Sequence, residues 1–176
     1  MASGTRITIA LLLAAGSAGP VLAQSAERVA AYTDWSVFVA SDPQECYIVA
    51  PPKTSVATRD GSPAEVQRGD IRLFVAFRPG ENVSNEVSFT GGYPFREGSE
   101  VTLSVGADSF TLTPGRADSG EWAWTDPGDD ARAVAAMRRG ANATLVGSSA
   151  RGTRTEDTFS LAGFTAAVED AEARCR

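Results

Sequence analysis

The stretch DIRLFVAFR, residues 70–78, shows the pattern on which the fold prediction rests. Its apolar residues at every second position are Ile71, Leu73, Val75 and Phe77. Arg72 and Arg78 fall on the opposite side. A period of two is typical of a β-strand with one face in the core. Pro79 and Gly80 follow and predict a turn that ends the strand.

The same alternation recurs along the chain, with turn residues between the segments. Further strands are predicted at 34–40, 46–50, 86–90, 101–105, 109–113, 121–125, 143–147 and 155–161. Residues 54–69 are polar and interrupted by glycine and proline, which favours a long loop. Many short strands at regular spacing predict a mainly β domain, either an antiparallel β-sandwich or a barrel.

Two short helices interrupt the strands. Residues 129–139 begin with aspartates and end with two arginines, charges that suit the helix dipole. Gly140 follows and is expected to end this helix in the left-handed conformation. The second helix, residues 164–175, is C-terminal. Its apolar stripe consists of Phe164, Ala167, Val168, Ala171 and Cys175.

Residues 1–23 have the pattern of a secretory signal peptide. Arg6 precedes a short apolar run, and the small residue Ala23 precedes Gln24. The run is about half as long as a bilayer span, so no integral membrane span is expected. We predict cleavage after Ala23, a mobile leader at 24–32, a single domain at 33–176, and a periplasmic or secreted protein.

Cys46 and Cys175 are the two cysteines of the chain. In an exported protein, two cysteines most simply form one disulfide. The position of Cys175 on the apolar stripe of the last helix supports a bridge into the body of the domain. A reactive thiol is the alternative, and it would require an electropositive environment.

Composition limits the possible functions. The net charge of −6 argues against nucleic acid as a partner, because phosphates require a basic face. The chain has no histidine, which excludes Ser-His-Asp and Cys-His catalysis and His-ligated zinc. We therefore predict no catalytic residue, no metal site, no cofactor and no enzymatic activity. A carboxylate-dependent hydrolase stays open as an alternative, since the sequence does not show which carboxylates converge.

The segment RGTRTED, residues 151–157, combines arginines and carboxylates around a glycine. Guanidinium groups suit partner carboxylates, and loops on a rigid scaffold often carry binding residues. The candidate binding surface consists of Arg151, Arg154, Glu156 and Asp157. The alternative is a hairpin turn with local ion pairs.

Two other motifs have structural and functional interpretations. Trp122 and Trp124 share one face of a strand and are expected in the core, with an exposed stacking platform for sugar as the alternative. Arg68, Gly69 and Asp70 form a tripeptide known for integrin binding, but a turn that leads into a strand is the favoured interpretation.

Several short segments also occur in a characteristic order. They are GYPF (92–95), GSEV (98–101), Trp124, AMRRG (136–140), SARGT (149–153), DTFSLAGF (157–164) and Cys175. In this order they resemble the invasion-associated locus B family of exported alphaproteobacterial proteins. The resemblance extends from Trp35 to the C-terminus.

This resemblance implies an exported, mainly β protein and provides no enzymatic chemistry to transfer to individual residues. We therefore expect a non-enzymatic periplasmic or cell-envelope protein that binds a protein or another envelope component. The alternatives are a small periplasmic carboxylate-dependent hydrolase and a small-ligand or glycan-binding domain. An exposed Trp122 or Trp124 beside a groove would favour the glycan-binding alternative.

Overall fold

The computed structural model describes residues 26–115 and 120–176. The strands are β1 Glu27–Tyr32, β2 Trp35–Ser41, β3 Gln44–Ala50, β4 Thr54–Arg59, β5 Ser62–Pro63, β6 Arg72–Arg78, β7 Val83–Thr90, β8 Val101–Val105, β9 Asp108–Pro114, β10 Trp122–Thr125, β11 Asn142–Ser148 and β12 Arg154–Ser160. They form one antiparallel sheet in the order β1-β2-β3-β6-β7-β10-β9-β8-β11-β12-β4-β5. The mainly β prediction is confirmed, and the sheet does not close into a barrel.

The sheet folds back on itself so that its two halves share one core. Phe89 in β7 and Phe159 in β12 meet edge to face, with ring centroids 6.1 Å apart, although β10, β9, β8 and β11 separate these strands in the sheet. The Trp35 indole N–H donates to the Ser160 carbonyl at 3.0 Å. The fold is therefore sandwich-like.

The alternation of β6 explains its place at the centre of one half. Leu73, Val75 and Phe77 are buried in the core, whereas Arg72 and Arg78 lie half-buried on the other face. The same inward orientation holds for the apolar residues predicted in β8 and β9, namely Val101, Leu103, Val105, Phe110 and Leu112. The period of two thus predicted these strands and their core faces correctly.

Both predicted helices are present, α1 at Asp130–Arg139 and α2 at Phe164–Arg174. α2 packs through Phe164 against the Trp35 ring, with centroids 5.0 Å apart. Gly140 is extended, with φ −85° and ψ 160°, so the predicted left-handed helix end is wrong. The physical reason is that the chain continues almost directly into β11, which requires extended backbone.

Two segments differ from their sequence-based prediction because they form edge strands. The polar segment 54–69, predicted as a loop, contains β4 and β5, and β4 pairs with β12. The expected leader 24–32 contains β1, which pairs with β2. Edge strands have no fully buried face, so they lack the apolar alternation on which the prediction relied.

The signal peptide predicted at 1–23 and residues 24–25 lie outside the described residues. Among the helices that the structure describes, none is long and apolar enough to cross a membrane.

Candidate functional site

A cleft of about 530 Å³ lies between the end of β4, the segments flanking β6 and β7, and the β11–β12 turn. We call it the arginine cleft. Its charged lining residues are Arg59, Glu65, Arg68, Glu121 and Arg151. Tyr93, Thr153 and Thr155 add hydroxyl groups. The cleft thus combines guanidinium groups with hydroxyl groups in one concave surface.

Arg68 forms the fixed wall of the arginine cleft. Its Nη1 and Nη2 donate to Oδ1 and Oδ2 of Asp157 at 2.7 and 2.6 Å, and its Nε donates to the Gly91 carbonyl at 2.8 Å. The Asp157 side chain is 0% exposed and the Arg68 side chain 8%. This two-pronged ion pair holds Arg68 in one orientation and neutralises its charge.

Tyr93 is held against that wall. The Arg68 guanidinium carbon lies 5.0 Å from the centroid of the Tyr93 ring, and the Tyr93 hydroxyl is hydrogen-bonded to the Thr155 hydroxyl at 2.6 Å. Burial is the main cause that raises the pKa of Tyr93. Tyr93 is therefore a neutral phenol at neutral pH, and its position is fixed before any ligand arrives.

Arg59 and Arg151 supply the free positive charge of the cleft. Arg59 Nη2 donates to the Thr153 hydroxyl at 2.8 Å, and Thr153 in turn donates its backbone N–H to the Ser149 hydroxyl at 3.1 Å. Arg151 is exposed. Within residues 26–115 and 120–176, neither arginine forms an ion pair. Two guanidinium groups are therefore available to an anionic ligand.

The structure separates the four residues of the predicted binding surface. Arg151 lines the arginine cleft. Arg154 and Glu156 share the outer face of β12 and pair with each other at 3.3 Å, outside the cleft. Asp157 points the other way and is fully buried, so it belongs to the interior and not to a surface. The strand period of two causes this separation, because neighbouring residues point to opposite faces.

Sequence reasoning missed Arg59 and the role of Arg68. Arg59 lies in the segment interpreted as a loop. Arg68 belongs to the tripeptide interpreted as a turn, and its partner Asp157 is 89 residues away in sequence. Asp70, the acidic residue of that tripeptide, is exposed and lies 3.5 Å from Arg72. No local pattern marks a pair so distant in sequence.

The second depression, of about 540 Å³, lies on the outer face of β3, β6, β7 and β10. We call it the aromatic groove. It is lined by the rings of Tyr47, Phe74, Trp122 and Trp124, with Glu45, Arg78 and Glu86 among the polar residues. The tryptophans were predicted in the core, and this prediction is wrong. In β10, Ala123 and Thr125 are the buried residues, whereas both tryptophans are half-exposed beside the groove.

A carboxylate-dependent hydrolase would require two acidic groups in one pocket, one of them with a raised pKa. Burial raises the pKa of Asp130. Its carboxyl group, however, accepts hydrogen bonds from the Val87 N–H and the Thr125 hydroxyl, and it lines neither the arginine cleft nor the aromatic groove. This geometry gives Asp130 a structural position between α1 and β7.

Comparison with known families agrees with the resemblance. Residues 35–172 match the family model of the invasion associated locus B (IalB) protein. The chain belongs to the IalB family. No curated protein and no solved structure matches it. In this IalB-family protein, two of the segments that carry the resemblance, 92–95 and 149–153, meet at the arginine cleft, to which they contribute Tyr93 and Arg151.

Proposed function

We propose that this IalB-family protein is exported and acts as a non-enzymatic binding module in the periplasm or cell envelope. The arginine cleft is its binding site, and the ligand is a carboxylate-bearing protein or envelope component. The observation that carries this proposal is the presence of Arg59 and Arg151 in one cleft without a carboxylate partner among the described residues.

Charge supports a specific anionic ligand. The whole chain has a net charge of −6, so a cleft with two free guanidinium groups contrasts with the rest of the molecule. Guanidinium groups bind carboxylates through pairs of parallel hydrogen bonds. Each such charge-assisted bond contributes about 1.5–3 kcal/mol when it is shielded from water.

Rigidity supports the same function. The Arg68–Asp157 ion pair and the Tyr93–Thr155 hydrogen bond fix one wall of the cleft, and Thr153 orients Arg59. A preformed wall lowers the entropic cost of binding, because fewer side chains must be immobilised.

The test uses a fluorescein-labelled hexaglutamate peptide, with binding followed by fluorescence anisotropy at low salt. The Arg59→Ala/Arg151→Ala variant should bind the peptide at least about tenfold more weakly than the unchanged protein. Its melting temperature should stay nearly unchanged, since neither arginine is part of an ion pair in the described chain.

Arg154→Ala is the matched control. Arg154 is an exposed arginine of the same region that lies outside the cleft and pairs with Glu156. Its removal changes the net charge by the same amount as one cleft arginine but should not affect binding. Equal weakening by Arg154→Ala and Arg151→Ala would show that the peptide senses only overall charge. Crosslinked capture from envelope extracts, compared between the unchanged protein and the double variant, would then identify the natural partner.

A further inference from the structure

The aromatic groove is built from a continuous row of rings on the solvent side of the sheet. Tyr47 and Phe74 have ring centroids 5.9 Å apart, Phe74 and Trp122 lie 5.2 Å apart, and Trp122 and Trp124 stack at 6.2 Å with ring planes 24° apart. Phe38 extends the row by stacking on Tyr47 at 5.1 Å. Interacting rings at these separations hold one another in place.

Small residues between the rings make this surface concave. Ala76 lies opposite Tyr47 in the β3–β6 pairing, and Ser88 lies opposite both Phe74 and Trp124. Ala76 and Ser88 are only 5% and 6% exposed, so they form the floor between the aromatic walls. The result is a groove about one side chain wide and not a flat apolar face.

The polar residues of the groove carry an excess of negative charge. Arg78 is within ion-pair distance of Glu45, Glu81 and Glu86, at 3.3, 3.0 and 2.8 Å. One guanidinium group compensates only one of these three carboxylates. Burial raises the pKa of Tyr47, and the nearby charge of Glu45 raises it further. The groove therefore combines electron-rich ring faces with uncompensated carboxylate charge, a combination that favours a cation.

We propose that the aromatic groove binds an arginine side chain presented by an exposed segment of a partner protein. A guanidinium group is flat, stacks on aromatic rings and forms paired hydrogen bonds with carboxylates, so it complements both parts of the groove. A lysine ammonium complements the charge but stacks less well. A neutral sugar would use the rings but not the negative charge. This site lies on a different set of strands from the arginine cleft and does not depend on the function of that cleft.

The test uses blocked tri-arginine and tri-lysine peptides and the intrinsic fluorescence of the full chain. Of the three tryptophans, Trp35 is 1% exposed, so ligand-induced changes report on Trp122 and Trp124. Tri-arginine should quench the emission in a saturable manner and bind several-fold more tightly than tri-lysine. The Glu45→Gln/Glu86→Gln variant should weaken tri-arginine binding by about tenfold or more.

The matched control is Glu97→Gln/Glu100→Gln. Both glutamates are exposed and lie outside the groove, so this variant makes the same change in net charge without altering the site. It should bind tri-arginine like the unchanged protein. Trp124→Ala should also weaken binding, measured by calorimetry because it removes a reporter.

Three results would overturn the proposal. The first is equal weakening by the control and the groove variant, which would mean that the peptide senses only net charge. The second is quenching by a neutral oligosaccharide of N-acetylglucosamine but not by tri-arginine, which would assign the groove to a glycan. The third is a dimer in light scattering that dissociates in Trp122→Ala/Trp124→Ala, because a second copy would then cover the groove.

Discussion

Arg68 and Asp157 join the two halves of the sandwich through a buried, two-pronged ion pair. The two hydrogen bonds measure 2.7 and 2.6 Å, and the Asp157 side chain is completely buried. Arg68 belongs to the segment that leads into β6, whereas Asp157 lies in β12. Because removal of one partner leaves the other charge buried alone, the pair makes correct assembly of the halves a condition for stability.

Arg68→Met should lower the free energy of unfolding by about 3–5 kcal/mol, because it leaves Asp157 charged and buried without a partner. Urea denaturation at neutral pH measures this loss. The double variant Arg68→Met/Asp157→Leu should lose less than the single variant, since it buries no lone charge. A single variant within about 1 kcal/mol of the unchanged protein would show that the pair is solvated in solution.

The sequence predicted those parts of the fold that follow from local periodicity. Residues 70–78 alternate strictly, and their apolar residues form the core of β6 as expected. The stripe from Phe164 to Cys175 likewise predicted α2 and its packed face. These elements have one fully buried side, and burial leaves a regular trace in the sequence.

The remainder depended on which face of an element meets which neighbour. The alternation around Trp122 and Trp124 shows that they share a face, but not whether that face is inside. The strand places small residues, Ala123 and Thr125, in the interior and directs the large rings outward. The arginine cleft was only partly predictable for a related reason: Arg59, Arg68 and Arg151 come from separate loops and strand ends that tertiary folding brings together.

The Cys46–Cys175 disulfide is present, with Cα atoms 5.9 Å apart. It joins β3 to the residue that follows α2 and closes a loop with a sequence separation of 129 residues. Replacing both cysteines with alanine should lower the free energy of unfolding by up to about 5 kcal/mol. Chemical denaturation measures this change. Thiol titration of the unreduced, denatured protein should find no free sulfhydryl group, and one thiol per chain would contradict the bridge.

Asp130 should make stability depend on pH in an unusual direction. Burial raises its pKa above the ordinary value of 3.8, so the folded protein favours the protonated carboxyl group. Its contribution to stability is therefore complete below the unfolded pKa and declines as the pH rises through the folded pKa. Asp130→Asn keeps an oxygen acceptor for the Val87 N–H and the Thr125 hydroxyl but does not ionise.

The stability of Asp130→Asn relative to the unchanged protein should therefore increase as the pH rises from about 4 to 7. Thermal or urea unfolding over this range measures the difference. Asp130→Ala is the control for the hydrogen bonds, and it should be destabilised by about 1–3 kcal/mol at every pH. A difference between Asp130→Asn and the unchanged protein that does not vary with pH would contradict the assignment.

The proposed export predicts a mature protein that begins at Gln24. The small residue Ala23 at the expected cleavage point follows the short apolar run of a signal peptide. N-terminal sequencing and intact mass of the exported protein measure the cleavage point. Ala23→Arg should block cleavage, because the processing site requires a small residue. A mature, unaltered protein that retains residues 1–23 would contradict export by this route.

The contact between Gly163 and Tyr32 predicts that β1 is part of the folded domain. Gly163 has φ +86°, and a Cβ atom at this position would lie 2.0 Å from the Tyr32 carbonyl oxygen. Gly163→Ala should therefore cost more than the ~1–2 kcal/mol of left-handed strain alone, because the backbone of β1 must also move. Gly106→Ala is the matched control: it has φ +59° but no atom within 4 Å of an added Cβ, so it should cost only the strain. Urea denaturation compares the two variants. Equal losses would show that Tyr32 moves aside freely and that the end of β1 is not held against α2.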